Sequence, residues 1–209
     1  MLFDLNCRRC TRLATFLDVV KVEHPTYFAR PVPPFGDDNP QLLIVGLAPG
    51  MHGANRTGRP FTGDHAGILL YDTLYRYGFS TAPTSVDAND GLRLIGCRIT
   101  NAVKCLPPEN KPETEEIKLC NSYLSNEFKT FSKLKIVLAL GNVAHAAVLK
   151  AFDVKVKDYP FGHARTHVLP GGLTLYDSYH CSRYNTQTRR LTTDMFHAVF
   201  AQIREKLEA

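Results

Sequence analysis

Short apolar runs recur along this chain with helix-spaced segments between them, and that alternation constrains the fold more than any other feature. Residues 41–47, Gln-Leu-Leu-Ile-Val-Gly-Leu, have the pattern of a buried strand, and residues 95–103, 135–140 and 173–179 supply three more. Between them, residues 65–77 carry Ile68, Leu69, Tyr71, Leu74 and Tyr75, and residues 115–128 align Ile117, Cys120, Leu124 and Phe128 on one face. Residues 142–152 are rich in Ala and Val, and residues 193–207 space Phe196, Val199, Phe200, Ile203 and Leu207 at helical intervals. This alternation predicts an α/β chain, a three-layer α/β/α sandwich around a central, mostly parallel four-stranded sheet. The 209 residues show no repeat or long linker, which predicts a single domain over residues 1–209. In such sheets reactive groups gather in loops beyond the carboxyl ends of the strands. Three places follow: after Leu47, after Val103 and after Tyr179.

The formal net charge of +5 is a mild hint of a polyanionic partner. No run of 18 apolar residues suggests a membrane span. The start, Met1 to Cys7, lacks the basic-then-apolar layout of a signal peptide, so a cytoplasmic location is expected. Six cysteines in such a compartment are not expected to pair as disulfides. They read as metal ligands, reactive thiols or small buried hydrophobes.

The first loop, residues 46–64, holds five glycines, which permit tight turns and close approach to a ligand. Arg56 and Arg59 are candidates for holding phosphate. Asp64 stands where the next helix begins, so it reads as a helix N-cap or as a functional carboxylate. Phe61 reads, by residue type alone, as core. The second loop, residues 100–110, contains Asn101 at a strand end, a turn residue or one whose amide reads a base edge. The third, residues 180–191, offers His180, several hydroxyls and three arginines.

Cys7 and Cys10 form Cys-x2-Cys, and fourteen residues separate Cys105 from Cys120. Four thiolates suit zinc or a 4Fe-4S cluster equally well by ligand type. Cys97 sits in an apolar strand and reads as packing; Cys181 is left over.

Together these loops resemble the uracil-DNA glycosylase superfamily, and most closely its type B, or family 5, branch. The first motif of that branch is matched by Gly-Leu-Ala-Pro at residues 46–49 and by Arg-Thr-Gly-Arg-Pro-Phe-Thr-Gly-Asp at residues 56–64. Its third motif, similar to His-Pro-Ser-x-x-Asn-x-x-Thr-Gly-Arg-Leu, is matched by residues 180–191, with Cys181 in place of Pro and Arg189 in place of Gly. Family 4 carries an acidic residue where Leu47 stands here, and this absence separates the two branches. The layout of Cys7, Cys10, Cys105 and Cys120 resembles the iron–sulfur ligand set of families 4 and 5.

The resemblance implies a monofunctional DNA glycosylase that flips out and hydrolytically excises uracil, hypoxanthine and related deaminated bases. It implies Asp64 and His180 as catalytic residues, and Phe61, Asn101, Gly46 and Ala48 as the base pocket. Arg56, Arg59, Ser182, Arg183, Tyr184, Asn185, Arg189 and Arg190 become the DNA contacts, with Tyr184 as a wedge. The implied cofactor is a structural 4Fe-4S cluster, with zinc as the alternative, and the implied partner is DNA containing uracil, bound by a monomer. Three readings compete, the first being a family 4-like glycosylase strict for uracil. A non-catalytic nucleic-acid-binding module with structural zinc accounts for the charge and the cysteines but not for the long first motif. A nucleotide-binding enzyme lacks the Gly-Lys-Ser/Thr that a phosphate cradle requires.

Overall fold

The computed structural model describes residues 3–209. In chain order the elements are α1 (Thr11–Glu23), β1 (Phe35–Gly36), β2 (Leu42–Gly46), α2 (Ala54–Thr57), α3 (His65–Arg76), β3 (Cys97–Asn101), α4 (Thr114–Thr130), β4 (Ile136–Leu140), α5 (Asn142–Ala151), β5 (Thr166–Val168), β6 (Thr174–Ser178), α6 (Arg183–Gln187) and α7 (Thr193–Glu208). The sheet order is β1-β3-β2-β4-β6-β5. The inner four strands are parallel, and the two edge strands pair antiparallel.

The three-layer α/β/α arrangement is as expected, but the sheet has six strands, not four. The four expected strands are the parallel interior. The edge strands lack an apolar run: β1 is two half-buried residues, and β5 is Thr-His-Val with Thr166 and Val168 exposed. The two central strands, β2 and β4, are buried on both faces, which is why each reads as a continuous apolar run, whereas β3 and β6 carry polar residues such as Arg98, Thr100 and Asp177.

Period-two alternation sends the strand side chains to two cores. Leu42, Ile44, Leu138 and Ile99 pack with Leu70, Leu74, Phe196 and Phe200 of α3 and α7. Leu43, Val45, Val137 and Leu175 pack with Leu124, Ala147 and Val148 of α4 and α5. A third cluster joins α1, through Leu13, Leu17 and Val20, to Val103, Leu106 and Tyr123. Arg12 of α1 fixes that contact with a bidentate pair to Glu116 of α4 at 2.8 Å. Among the described residues, no helix is long and apolar enough to cross a membrane.

A buried polar pair joins α5 to β6. His145 Nδ1 lies 2.7 Å from Asp177 Oδ1, and its Nε2 lies 2.8 Å from the Tyr159 carbonyl. Both ring nitrogens thus have an oxygen partner, and the imidazole is tied at both ends. Neither side chain is exposed to solvent. Asp177→Ala should therefore cost about 3–5 kcal/mol by stranding a buried imidazole, visible as a lowered urea midpoint at unchanged slope.

Candidate active site

Because the four inner strands are parallel, the loops after β2, β3 and β6 open on one edge of the sheet. They enclose a cleft of about 360 Å3 lined by Leu47, Ala48, Gly50, Phe61, Asp64, Asn101, Asn110, His180 and Ser182, together with Ala54 and Ala66.

Register places Asn101, the last residue of β3, opposite Gly46, the last of β2. A Cβ at Gly46 would overlap both Asn101 Oδ1 and the Phe61 ring. Only glycine lets these two side chains meet at the cleft floor. Phe61 has a φ of 53°, a left-handed conformation that costs a non-glycine residue on the order of 1–3 kcal/mol. Its ring stacks on His180 with centroids 5.8 Å apart and planes 28° apart. Asn101 is buried, and its Oδ1 has no hydrogen-bond partner. An unpaired buried acceptor is costly unless a ligand supplies a donor.

Asp64 caps α3, its Oδ1 accepting the Gly67 N–H at 3.0 Å. The cap and the functional carboxylate are therefore one residue, since the same side chain lines the cleft. Burial raises its pKa above the ordinary aspartate value, although the Gly67 and Ala66 N–H groups oppose that rise. His180 follows β6, and its carbonyl accepts the Asn185 side-chain N–H at 2.8 Å. Burial pushes its pKa down to about 4, so the ring is neutral at pH 7.

The expected DNA contacts divide. Arg56, Arg183, Tyr184, Arg189 and Arg190 are exposed around the cleft loops, and Tyr184 is 71% exposed at the start of α6. Ser182 caps α6 and lines the cleft. Arg59 corrects the expectation. It is 3% exposed and bonds Ser85 and Asp90 at 2.8 Å and the Ala88 carbonyl at 3.0 Å, with its guanidinium 4.3 Å from the Phe35 ring centroid. Buried and held by these three partners, the guanidinium is turned inward rather than presented to phosphate. Asn185 is half-buried, and its amide donates to the His180 carbonyl. Asn110 was not singled out from sequence, yet it lines the cleft with a φ of 57° beside Glu109 at 54°. Two successive left-handed non-glycine residues carry strain that the sequence does not announce.

The four expected metal ligands converge away from the cleft. Cys7, Cys10, Cys105 and Cys120 line one pocket with Arg9, Leu13, Lys104 and Tyr123. All are free thiols. Burial and the neighbouring thiols push Cys10 up to about 11 and Cys105 higher still. Cys120 accepts the Lys104 backbone N–H at 3.3 Å. Four desolvated sulfurs facing one another suit a group that binds them as thiolates. Among the described residues, the one set of three potential ligand atoms mutually within 4.8 Å is His145, His167 and Asp177, so the sulfurs are spread more widely than that.

The sequence pattern of the uracil DNA glycosylase superfamily matches residues 33–204. The chain belongs to that superfamily. It is 44% identical over 201 residues to the type-5 uracil-DNA glycosylase of Thermus thermophilus, covering 94% of this chain and 91% of that one. Identity to the type-5 uracil-DNA glycosylase of Pyrobaculum aerophilum is 42% over 194 residues, covering 91% and 84%. The type-4 uracil-DNA glycosylase of Archaeoglobus fulgidus is 30% identical over 152 residues, covering 72% and 62%.

The two first-loop arginines should behave differently. Arg56→Ala should weaken binding of any DNA duplex and reduce the salt slope by about one. Arg59→Ala should leave that slope unchanged and lower the melting temperature. Titrating a fluorescent duplex across salt concentrations separates the two.

Proposed function

We propose that this superfamily member is a monofunctional type-5-like DNA glycosylase, hydrolysing the bond between deoxyribose and uracil, hypoxanthine or a related deaminated base in DNA. The observation that carries this reading is the unpaired Asn101 Oδ1 at the floor of a cleft with Phe61, Asp64 and His180 on its walls. Uracil and hypoxanthine both present a ring N–H on their pairing edge, which pairs with Oδ1. Cytosine and adenine present a lone pair there, which opposes it.

A target base must leave the duplex to reach this cleft, and a mispaired base leaves at least cost. Tyr184, exposed at the start of α6, is the wedge for the vacated space, and the arginines beside it hold phosphate. Phe61 stacks on the flipped base. As the C1′–N bond breaks, the sugar becomes cationic and the base anionic. The neutral His180 N–H stabilises the base anion, an effect worth roughly 3–4 kcal/mol by analogy with oxyanion holes. The Asp64 carboxylate stabilises the sugar cation and orients the water that attacks C1′. No lysine lines the cleft among the described residues. Lys104 is buried, bonded to Thr100 and 3.5 Å from Glu127, so its amine is not free for a Schiff base.

The Cys7, Cys10, Cys105 and Cys120 pocket is proposed to hold a structural 4Fe-4S cluster. A single zinc would draw four sulfurs to about 3.8 Å of one another, whereas a cluster binds each to a separate iron and needs wider spacing. When bound, the cluster ties the segment before α1 to α4 and the loop after β3. We further propose a monomeric, cytoplasmic protein acting on nucleoid DNA, the six free thiols suiting a reducing compartment.

Duplexes holding one uracil or one hypoxanthine should yield alkali-labile abasic sites; no product from any deaminated base would sink the proposal. Asp64→Ala should lose at least about a hundredfold in single-turnover rate while keeping its DNA affinity.

The pH profile follows from the two shifts. Asp64 is raised, so the acid limb of the rate should lie above the ordinary aspartate range. His180 is lowered to about 4, so no limb from it should fall between pH 5 and 8. The unfolded chain, with an ordinary histidine near 6.5, binds more protons at this site between about pH 4 and 6.5. The stability conferred by neutral His180 is thus complete above that window and lost as pH falls through it.

For the cluster, anaerobically purified protein should be brown and hold about four irons per chain. Stoichiometric zinc in colourless protein would favour the alternative metal.

A further inference from the structure

The proposed reaction relies on His180, which projects from a strand end with few ladder bonds. The last register pair of β6 is Ser178 opposite Leu140, so Tyr179 lies beyond the ladder. A side chain takes over there. His163 Nδ1 accepts the Tyr179 N–H at 3.2 Å. The same imidazole stacks on the Tyr179 ring, with centroids 5.1 Å apart and planes 21° apart. The guanidinium of Arg190, from the loop after α6, lies 4.7 Å from that ring's centroid. The stack therefore joins the backbone before His180 to a residue proposed to touch DNA.

His163 is itself held firmly. Ala164 N–H donates to the Asp177 carbonyl at 2.9 Å, and Asp177 N–H donates to the Arg165 carbonyl at 2.9 Å, tying the His163 turn to β6. Gly162 N–H reaches Asp177 Oδ2 at 3.4 Å. With Nδ1 accepting a backbone N–H, that nitrogen carries no proton, and the neutral ring is the form that fits. Burial also holds its pKa below the ordinary value, in the same direction.

On the glycosylase reading above, we propose that His163 is a positioning residue for His180, fixing through the Tyr179 N–H and ring the backbone from which the His180 imidazole enters the cleft. It touches no substrate. Its effect belongs to the chemical step, because displacement of a donor by about 1 Å can cost a hundredfold in rate. Affinity for DNA, spread over several exposed arginines of which only Arg190 meets the stack, should change little.

Two variants separate the acceptor from the ring. His163→Phe keeps an aromatic face against Tyr179 and removes the acceptor. His163→Asn keeps an acceptor near the Nδ1 position and removes the ring. Single-turnover excision of uracil and duplex Kd are measured for both beside the unsubstituted protein. His163→Phe should lose about tenfold to a hundredfold in rate with Kd unchanged within about twofold, and His163→Asn should recover most of that loss. An unchanged rate in His163→Phe would overturn the proposal. So would a rate in His163→Asn no better than that of His163→Phe, or a parallel loss of DNA affinity in both. No excision by the unsubstituted protein would sink the glycosylase reading, and this inference with it.

Discussion

Asp64 divides its two oxygens between fold and cleft, and the site is arranged around that division. Oδ1 accepts the Gly67 N–H and so starts α3. Oδ2 lies against Gly50 and Gly53 of the loop after β2, where a Cβ on Gly53 would overlap it. The helix start therefore dictates how closely that loop can wrap, and the glycines make the approach feasible. The N-terminal dipole of α3 favours the carboxylate anion, which partly offsets the burial that raises its pKa. A capping aspartate on an exposed helix would not feel that opposition. Here the cap is drawn into a site where water is scarce.

The second constraint is the register of β2 on β3. Pairing Gly46 with Asn101 brings an amide and an aromatic ring into space that any other residue at 46 would fill. A slip of one residue would reverse the side chains of β3 and remove Asn101 from the cleft. That register is in turn held by the alternation of Leu42 and Ile44 against Leu43 and Val45, which pack on opposite faces of the sheet. The base pocket is thus a consequence of core packing several residues away.

The sequence was most informative where burial is continuous. The four parallel strands and the helices α3, α4, α5 and α7 carry apolar patterns that tertiary contacts reinforce. β1 and β5 escaped because an edge strand stabilised by backbone bonds needs no apolar run, and two or three residues make no pattern. Helix α1 has a buried face of Leu13, Ala14, Leu17 and Val20, but it was not singled out, since exposed Val19 and Val22 blur its periodicity. Within the site, the first-motif glycines, Phe61 and Asp64 were legible because their spacing is fixed locally. Arg59 was not. Its partners Ser85, Ala88 and Asp90 come from a connection whose path depends on where β3 joins the sheet. The bond from the Asn185 amide to the His180 carbonyl was hidden for a similar reason, because only the turn of α6 back toward His180 brings the two together.

Loss of water acts in opposite senses on the two groups proposed for the reaction, and this explains why they are not interchangeable. It raises the Asp64 carboxyl and lowers the His180 imidazole. A neutral imidazole offers an N–H to an anion that forms only as the bond breaks, so it favours the transition state over the ground state. An imidazolium would also attract the flipped base's oxygens before reaction, and part of its effect would be uniform binding. The carboxylate has the complementary task, since the sugar gains positive charge while the base gains negative. Leu47 and Ala48 are apolar and add no second charge to the cleft wall. Their effect is to keep the local dielectric low, which strengthens each remaining electrostatic interaction.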